Sequence, residues 1–401
     1  MKATDQILGK QNTELSIFDP KRYYVKPARF FRHIVLYLNI ALVILLLLSY
    51  ISVFISPETF WPIAFFGLAY PFLLLLNLIT MAFWIVLRRK EFLISLVMIL
   101  LGWNYMAKIF QVPFHLHRKM AEPEMQDSAN GSLQLKVLTY NVRAFNQYNW
   151  AKNPDAEREI IDLLSSQKAD VICLQEFYTH DKNPFSTTQL FSKLEKTPYR
   201  NIYYVEGKDN RNRHGIAIFS AYPIARKGVL IFEENFNLAI YADIVAQHDT
   251  FRVYNCHLQS IRLLKKNLDF LDSMKFEYSE KQVGEIRDIS VRLKDAYIKR
   301  AQQVDMIAMN INRCRHPLII CGDFNDTPIS YTYHQLSKNL KDAFMEEGRG
   351  FGHTYQSFFP PVRIDYVLHS SRFSCLGFAT IRRNYSDHYP LVARFQLNPA
   401  N

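Results

Sequence analysis

The chain has 401 residues, enough for one large or two ordinary domains, and a formal net charge of +11. This charge does not by itself indicate a nucleic-acid partner, because residues 1–132 hold 13 Lys+Arg against 8 Asp+Glu, largely around apolar segments, and the rest is only mildly basic. Five cysteines without CxxC spacing argue against a zinc site and a complete set of disulfides.

The first third of the chain contains long apolar runs behind a basic segment, residues 1–32. Residues 33–55 and 60–87 hold no charged side chain, and each is long enough to cross a hydrocarbon core of about 30 Å as a helix. A shorter run, at about 92–110, ends with aromatic residues typical of a membrane interface. The pattern predicts two or three transmembrane helices, and buried core helices are the alternative.

The basic residues predict the orientation of these helices. The basic residues shortly before the first run are Lys21, Arg22, Lys26, Arg29 and Arg32, whereas the connection between the first two runs, Ser56–Thr59, holds only Glu58. Residues 88–90 then place a second basic cluster before the third run. Because basic residues favour the cytoplasmic side, the N-terminus is predicted to be cytoplasmic. Three crossings would place the remaining chain on the outer, periplasmic side of a bacterial inner membrane, although the basic residues Lys108, Arg118 and Lys119 favour the opposite side.

Residues 111–132 are polar and contain proline, glycine and acidic residues, so they are predicted to be a linker. Beyond them, residues 133–397 combine short apolar runs with amphipathic helices at Asp155–Ser166 and Ser290–Asn310. This combination predicts a layered α/β domain. The strands are predicted at Leu133–Tyr140, Asp170–Leu174, Gly215–Phe219, Leu238–Val245, Phe251–His257, Leu318–Gly322, Ile364–Leu368 and Leu391–Phe395.

Two further features of this region have competing interpretations. Residues 262–289 form a charged insertion that is either a solvated helical excursion or a lid facing substrate or membrane. The cysteines Cys173, Cys256 and Cys321 lie within or at the end of strand-like runs, so they are expected to be buried as small apolar residues.

Polar residues repeatedly occur at the ends of the predicted strands. Rigid strands fix such residues while their tips stay accessible, and burying several carboxylates without a cation is unfavourable. A bound divalent metal would remove that cost. The residues are Asn141, Glu176, His257, Asp323, Asn325, Asp365, Asp387 and His388.

Hydrolysis of a phosphate ester requires a hard cation, a group that activates water and donors for developing charge, and this set contains each part. Glu176 offers a carboxylate suited to magnesium. Asp323 is a candidate base or water-orienting acid, and His388 acts on a phosphate oxygen or a proton with Asp365 holding its ring. The amides of Asn141 and Asn325 and the His257 ring are donors.

Taken singly, these residues have simpler interpretations. His257 alone is more often a structural histidine, and Asp387 alone is more often a turn or cap residue. Asp323 and Asn325 alone could form an Asx turn. Their order along the chain, each at a strand end, favours a shared site.

The order of these motifs resembles the endonuclease/exonuclease/phosphatase superfamily, which includes deoxyribonucleases, apurinic endonucleases and sphingomyelinases. The matching segments are TYNVR, LQE, HGIAIFSAYPI, NCHLQS, GDFND, RIDYVL and SDHYPL, spread over residues 133–397. The resemblance implies a four-layer α/β sandwich of two mixed sheets and direct attack of water on phosphorus. Its first motif departs from many relatives in Arg143, which either contacts phosphate or covers the sheet edge.

The resemblance also implies residue roles. Magnesium, with manganese as a possible substitute, is expected near Glu176 and Asp387, with Asn141 helping to set that site. Asp323 is expected to orient the attacking water and Asn325 to bind phosphate. His257 and His388 are expected to contact the scissile phosphate, with Asp365 orienting His388.

The sequence therefore predicts a membrane-anchored, magnesium-dependent phosphoesterase that hydrolyses a phosphodiester or phosphomonoester. Its substrate is either nucleic acid or a phospholipid or sphingolipid headgroup. A basic stripe for nucleic acid starts at Arg211, Arg213 and His214, but Asp209 interrupts it. The alternative is a catalytically inactive, membrane-tethered binding module of the same fold. The oligomeric state is not indicated.

Overall fold

The computed structural model describes residues 25–112, 132–148, 153–180, 187–205, 212–232, 237–264, 266–267, 270, 279–356 and 362–399. The predicted linker lies almost wholly outside these residues, as do most of the basic N-terminal segment and the middle of the insertion. The described chain forms two compact units. One contains residues up to Leu47 and Pro71–Leu101, and the other contains Leu48–Tyr70 and the chain from Gly102 onward.

The described residues form ten α-helices and three short 3-10 turns, at Ser52–Phe54, Trp61–Ile63 and Arg143–Asn146. The helix bounds are α1 Val25–Ile51, α2 Pro57–Phe60, α3 Ala64–Val86, α4 Phe92–Leu101, α5 Trp103–Ala107, α6 Ala156–Ser166, α7 Thr187–Lys193, α8 Glu280–Asn312, α9 Tyr331–Ser337 and α10 Ala343–Glu347. Two helical segments, Phe30–Phe54 and Pro57–Val86, are long and apolar enough to span a membrane. The helix α4 is apolar but shorter.

The apolar unit contains a buried cluster of polar side chains. The Asn39 amide oxygen accepts hydrogen bonds from Ser95 Oγ at 2.7 Å and from Thr80 Oγ1 at 3.1 Å. Asn77 Nδ2 donates to the Leu42 carbonyl at 3.1 Å, which links α3 to α1. Because the bonded polar groups are buried, these hydrogen bonds hold the helices in one arrangement. They also connect α4, through Ser95, to both longer helices.

The larger unit is built from two six-stranded sheets, each with one parallel pair at its centre. The first sheet has the order β13-β14-β2-β3-β5-β4 and the second β10-β12-β9-β8-β7-β6. The strands are β1 Phe110–Gln111, β2 Gln134–Asn141, β3 Val171–His180, β4 Tyr199–Val205, β5 Asn212–Ser220, β6 Ile224–Ile231, β7 Leu238–Ala246, β8 Asp249–His257, β9 Leu318–Asp323, β10 Lys341–Asp342, β11 Gly350–Phe351, β12 Asp365–His369, β13 Phe373–Thr380 and β14 Leu391–Leu397. The pairs β2–β3 and β8–β9 are parallel, and all other pairings are antiparallel.

The two sheets pack face to face and carry helices on their outer faces. Side chains from both sheets, such as Val137 and Val253, share one central cluster. The helix α6 covers the outer face of the first sheet, and α8 and α9 cover that of the second. The predicted four-layer α/β sandwich of two mixed sheets is therefore confirmed. Cys173, Cys256 and Cys321 are buried and unbridged, as expected.

The sequence prediction missed three long strands, the two-residue strands β1, β10 and β11 and the short helices α7, α9 and α10, and it placed the start of one helix too late. The three long strands, β4, β6 and β13, each lie at an edge of a sheet, where one side of the strand lacks a neighbour and the apolar pattern is weaker. The helix predicted from Ser290 begins ten residues earlier, at Glu280, where Ser279 Oγ caps it by accepting a hydrogen bond from Gln282 N. The end of the predicted insertion is thus the first part of α8.

The connection between the first two apolar helices packs within the larger unit, against α8 and α9. Gln302 Nε2 donates to Glu58 Oε1 at 3.0 Å, and the Phe65 ring lies 5.8 Å from the Tyr297 ring in an edge-on contact. A Cβ on Gly67 would lie 2.2 Å from the Ile329 carbonyl oxygen. Glycine is therefore required for this close approach between helix and loop.

Candidate active site

The predicted site residues converge because the relevant strand ends lie at one edge of the two facing sheets. In the second sheet, His257 pairs with Asp323 at the end of the parallel ladder, and Asp365 pairs with Asp323 from the other side. In the first sheet, Asn141 ends β2. Side-chain contacts join six of the eight predicted residues directly. Asn325 joins them through its backbone N–H, and Asp387 joins them through Arg143.

A bulge in β3 presents Glu176 at this edge. The ladder between β3 and β5 skips from Leu174 to Phe177, and Glu176 has a φ of +48°. Non-glycine residues rarely adopt this region, and bulges next to active sites commonly redirect a side chain. The Glu176 side chain is 37% exposed. The surrounding protein nevertheless desolvates the carboxylate, and this effect, with the nearby Asp387 carboxylate, raises the pKa of Glu176 above its ordinary value.

Asn141 connects the two sheets across the site. Its Nδ2 donates to Asp323 Oδ2 at 3.0 Å and lies 3.3 Å from Glu176 Oε1. Its Oδ1 accepts from the Arg143 backbone N–H at 3.0 Å, which fixes the orientation of the amide. The side chain is buried, so each of these polar contacts replaces lost hydration.

Asp365, His388 and Asp323 form a buried row. His388 Nδ1 lies 2.9 Å and 3.2 Å from the two Asp365 oxygens, and its Nε2 lies 3.7 Å from Asp323 Oδ2. Burial favours the neutral imidazole, but the Asp365 and Asp323 carboxylates outweigh it and raise the pKa of His388 well above its usual range. Burial raises the pKa of Asp323 to about 6, against the attraction of His388. The row therefore pairs a protonated imidazole with a carboxylate that titrates near neutrality.

Asn325 follows Asp323 through a tight turn. The Asn325 backbone N–H donates to Asp323 Oδ1 at 2.8 Å, and Asn325 Nδ2 donates to the Leu258 carbonyl at 3.0 Å. Asp323 therefore forms an Asx turn and also belongs to the cluster, because one of its carboxylate oxygens makes the turn while the other faces the cluster. Asn325 Nδ2 retains a second N–H.

His257 lies between the two carboxylates of the cluster. Its Nε2 is 3.7 Å from Glu176 Oε1 and 3.9 Å from Asp323 Oδ2, and this buried nitrogen has no hydrogen-bond partner. Burial lowers the pKa of His257. A buried nitrogen without a partner, facing two carboxylates, fits a site completed by a ligand.

The residues present fit a divalent cation. Burial, and after it the neighbouring Asp387 carboxylate, raise the pKa of Glu176, and a hard cation between these oxygen ligands would offset both effects. Among the described residues, the set Asp323, Asp365 and His388 also brings ligand atoms within 4.8 Å of one another. In that set, His388 Nδ1 is already bound to Asp365, so oxygen ligands around Glu176 are the better match for a hard metal.

Sequence reasoning left the role of Arg143 open and did not include Ser386. Arg143 Nη1 lies 2.9 Å from Asp387 Oδ2, so this side chain supplies positive charge inside the cluster. Ser386 Oγ donates to the Asn141 carbonyl at 2.9 Å, which connects the loop before β14 to the end of β2. Ser386 directly precedes Asp387 in the SDHYP motif, and this position could have indicated that the serine lies at the site.

Comparisons with known proteins agree with this arrangement. The model of the Endonuclease/Exonuclease/phosphatase family matches residues 138–388, and a model described as a domain of unknown function matches residues 32–109. The probable CCR4-Not complex 3'-5'-exoribonuclease subunit Ccr4 of Vairimorpha ceranae is 22% identical over 293 residues, which cover 62% of this chain and 59% of that protein. The chain thus spans less than two thirds of this curated relative.

Solved structures of similar proteins were also found. A protein titled endonuclease/exonuclease/phosphatase from Beutenbergia cavernae is 17% identical with a TM-score of 0.48, covering 67% of this chain and 72% of that one. The human Nocturnin catalytic domain is likewise 17% identical with a TM-score of 0.48, covering 66% and 94%. The family model covers well over half of the sequence, including every residue of the cluster. The chain belongs to the Endonuclease/Exonuclease/phosphatase family.

Proposed function

We propose that this protein is a membrane-anchored, magnesium-dependent phosphoesterase that uses the eight clustered residues in the roles predicted for them. The observation that carries the proposal is the row Asp365–His388–Asp323, in which His388 Nε2 lies 3.7 Å from the Asp323 carboxylate, whose pKa burial raises to about 6. A proton acceptor with a pKa close to the working pH is what general base catalysis requires.

Glu176, Asp387 and Asn141 would hold the metal ion. When bound, the ion supplies positive charge to the phosphoryl oxygens and to the leaving oxygen. Arg143 shares this task, because its guanidinium already lies 2.9 Å from Asp387. Oxygen ligands without a cysteine pair favour magnesium or manganese over zinc.

The protein residues then carry the proton and the charge. Asp323 orients a water molecule and takes its proton as the water oxygen forms a bond to phosphorus. The bond from phosphorus to the ester oxygen breaks, and the departing oxygen takes a proton from solvent. The His388 imidazolium, His257 Nε2 and the second N–H of Asn325 Nδ2 face the negative charge that grows on the phosphoryl oxygens.

The anchor in this proposal consists of the apolar helices. Only 28% and 33% of the residues in the apolar windows of the two long segments are buried, so most of their surface faces outward. Large side chains such as Ile44, Leu75 and Ile79 are exposed. A soluble core helix would bury these residues, whereas a membrane helix presents them to lipid.

Three tyrosines support an odd number of crossings. Tyr50 near the end of α1, Tyr70 near the start of α3 and Tyr105 in α5 form one ring cluster, with centroids 4.9–6.5 Å apart. Tyrosines gather at the membrane interface. If the three share one interface, then the chain after α5 emerges on the side of the loop between α1 and α3. With a cytoplasmic N-terminus, the catalytic domain lies outside the cytoplasm.

The substrate is a phosphate ester of a nucleic acid or of a lipid headgroup. The relative described as an exoribonuclease subunit motivates the nucleic-acid substrate, and the anchor motivates the lipid. The inactive binding module is the competing function. It is disfavoured because six of the eight side chains, those of Asn141, Glu176, His257, Asp323, Asp365 and His388, lie in contact with one another.

The test uses the full chain in nanodiscs with and without about 5 mM Mg²⁺. A millimolar concentration is used because proteins bind magnesium through few ligands and leave several of its waters in place. The substrates are bis-p-nitrophenyl phosphate, p-nitrophenyl phosphate, single-stranded RNA, plasmid DNA and phosphatidylcholine or sphingomyelin vesicles. Magnesium-dependent hydrolysis that disappears in His388→Ala supports the proposal, and the cleaved polymer or lipid identifies the substrate. Magnesium binding without hydrolysis of any ester would favour the inactive module.

A further inference from the structure

A buried arginine on α8 lies behind the site without touching its reacting groups. The Arg300 side chain is 1% exposed, with Nε 3.1 Å from Asp326 Oδ2 and Nη1 donating to the Gln259 carbonyl at 2.8 Å. Asp326 directly follows Asn325 in the chain, and Gln259 lies two residues after His257. One guanidinium therefore joins the two segments that emerge from the central parallel strands of the second sheet.

The two segments are also bonded to each other at the same level. The Leu258 backbone N–H donates to the Asp323 carbonyl at 3.0 Å, and the Leu258 carbonyl accepts from Asn325 Nδ2. Gln303, on the same helix, accepts from the Gln259 backbone N–H at 2.9 Å. The helix α8 thus bonds residues 257–259 through both Arg300 and Gln303, and residues 323–326 through Arg300 alone.

Asp326 is fixed on all sides. Its Oδ2 also accepts from Thr332 Oγ1 at 2.7 Å, its Oδ1 accepts from the Thr327 backbone N–H, and its carbonyl accepts from Tyr366 Oη at 2.8 Å. Asn325 next to it has a φ of +53°, in the left-handed region that asparagine adopts more readily than most residues. Its position beside the firmly held Asp326 fixes where its side chain lies.

The Arg300–Asp326 ion pair is expected to add little to stability, because the cost of burying two charges offsets much of their attraction. Its contacts with the two site segments explain its presence better. We infer that Arg300 is a positioning residue that, through Asp326 and the Gln259 carbonyl, holds Asn325 and His257 where they meet the phosphoryl group. This inference rests on the proposed function of those two residues. It assigns Arg300 no contact with substrate or metal.

The chain offers a matched control. Arg252 forms another largely buried pair, with Nε 2.6 Å and Nη2 2.8 Å from the two Asp243 oxygens, but it lies near the start of β8, five residues before His257. Arg300→Met and Arg252→Met each leave one buried aspartate without its partner, so both are expected to lower the Tm. Only the first removes a contact from the site segments. The lysine in Arg300→Lys retains the positive charge and can donate to one of the two acceptors, Asp326 Oδ2 or the Gln259 carbonyl.

The experiment uses the full chain in nanodiscs with bis-p-nitrophenyl phosphate and Mg²⁺. Below the Tm of every variant, Arg300→Met is expected to lower kcat by about 10- to 100-fold, the scale of a misplaced catalytic group. The Mg²⁺ concentration for half-maximal activity should stay unchanged, and Arg300→Lys should recover part of kcat. Arg252→Met should keep kcat within about threefold of the unmodified protein. Equal kcat losses in the two Met variants would overturn the inference.

Hydrogen exchange gives a second measurement that does not depend on activity. Peptides covering residues 257–260 and 322–328 should exchange faster in Arg300→Met than in Arg252→Met. Unchanged exchange in both peptides would overturn the inference even if the unmodified protein hydrolysed no ester. An inactive unmodified protein with faster exchange in Arg300→Met would instead contradict the proposed function and leave the positioning contact supported.

Discussion

Asp365 holds His388 by the Nδ1 side of the ring, with the closer oxygen at 2.9 Å, and thereby directs Nε2 toward Asp323. The contact fixes both the ring orientation and the tautomer or charge of the histidine. Both residues are buried, so water cannot replace the carboxylate.

Replacement of Asp365 by Asn should leave a folded but nearly inactive enzyme. The amide removes the charge that stabilises the imidazolium, and the loss in kcat should be about 10²- to 10⁴-fold, as for other oriented acid–base groups. The measurement is kcat with bis-p-nitrophenyl phosphate. Glu346→Gln is the control, because Glu346 forms another carboxylate–histidine contact, 3.0 Å to His369, at the far end of β12. Equal losses in both variants would contradict an active-site role for the Asp365 contact.

The pH dependence of kcat should show an acid limb governed by Asp323. The carboxyl group must be deprotonated to accept a proton from water, and burial raises its pKa to about 6. The rate should therefore rise as pH increases through about 6 and level off above it. Steady-state kcat between pH 5 and 8 checks this. A rate that stays constant down to pH 5 would exclude Asp323 as the base.

The same raised pKa makes Asp323 destabilising at neutral pH. A folded-state pKa above the unfolded value means that the folded state binds the proton more tightly, so stability falls as pH rises from about 4 to 6. Asp323→Asn should abolish activity but raise the Tm by a few degrees at pH 7, with the difference shrinking below pH 4. A thermal melt at both pH values measures it. A lower Tm at pH 7 would show that the Asn141 and Asn325 contacts outweigh the buried charge.

Glu176 should determine the magnesium requirement. Glu176→Gln removes a negative oxygen ligand but keeps the size of the side chain, so the Mg²⁺ concentration for half-maximal activity should rise by about tenfold or more. A Mg²⁺ titration of activity, and calorimetry with Mg²⁺ alone, measure the shift. Glu159→Gln on α6 serves as the control, since Glu159 hydrogen-bonds Asn153 outside the cluster. An unchanged Mg²⁺ requirement would place the metal elsewhere.

The side of the catalytic domain can be measured directly. Alkaline phosphatase fused after residue 112 should be active and green fluorescent protein dark there, because three crossings deliver this point outside the cytoplasm. A fusion after residue 90 should give the reverse pattern. Fluorescence after residue 112 would show that α4 and α5 do not complete a crossing.

The sequence by itself determined the central strands and which polar residues lie at their ends. Buried strands such as β9 form apolar runs that end on polar residues, so Asp323 and its partners could be placed at a sheet edge before any contact was known. The edge strands β4, β6 and β13 escaped prediction because partial exposure weakens their apolar pattern.

Only the tertiary structure decided which side chains act together. Arg143 and Asp387 are far apart in the chain and meet because β14 pairs with β2 beside the site. Arg300 gave no sequence signal, since an arginine on an amphipathic helix ordinarily faces solvent. The packing of residues 48–70 against α8 could not be predicted from the sequence either. An apolar run indicates that its side chains must be buried, but it does not indicate which part of the chain buries them.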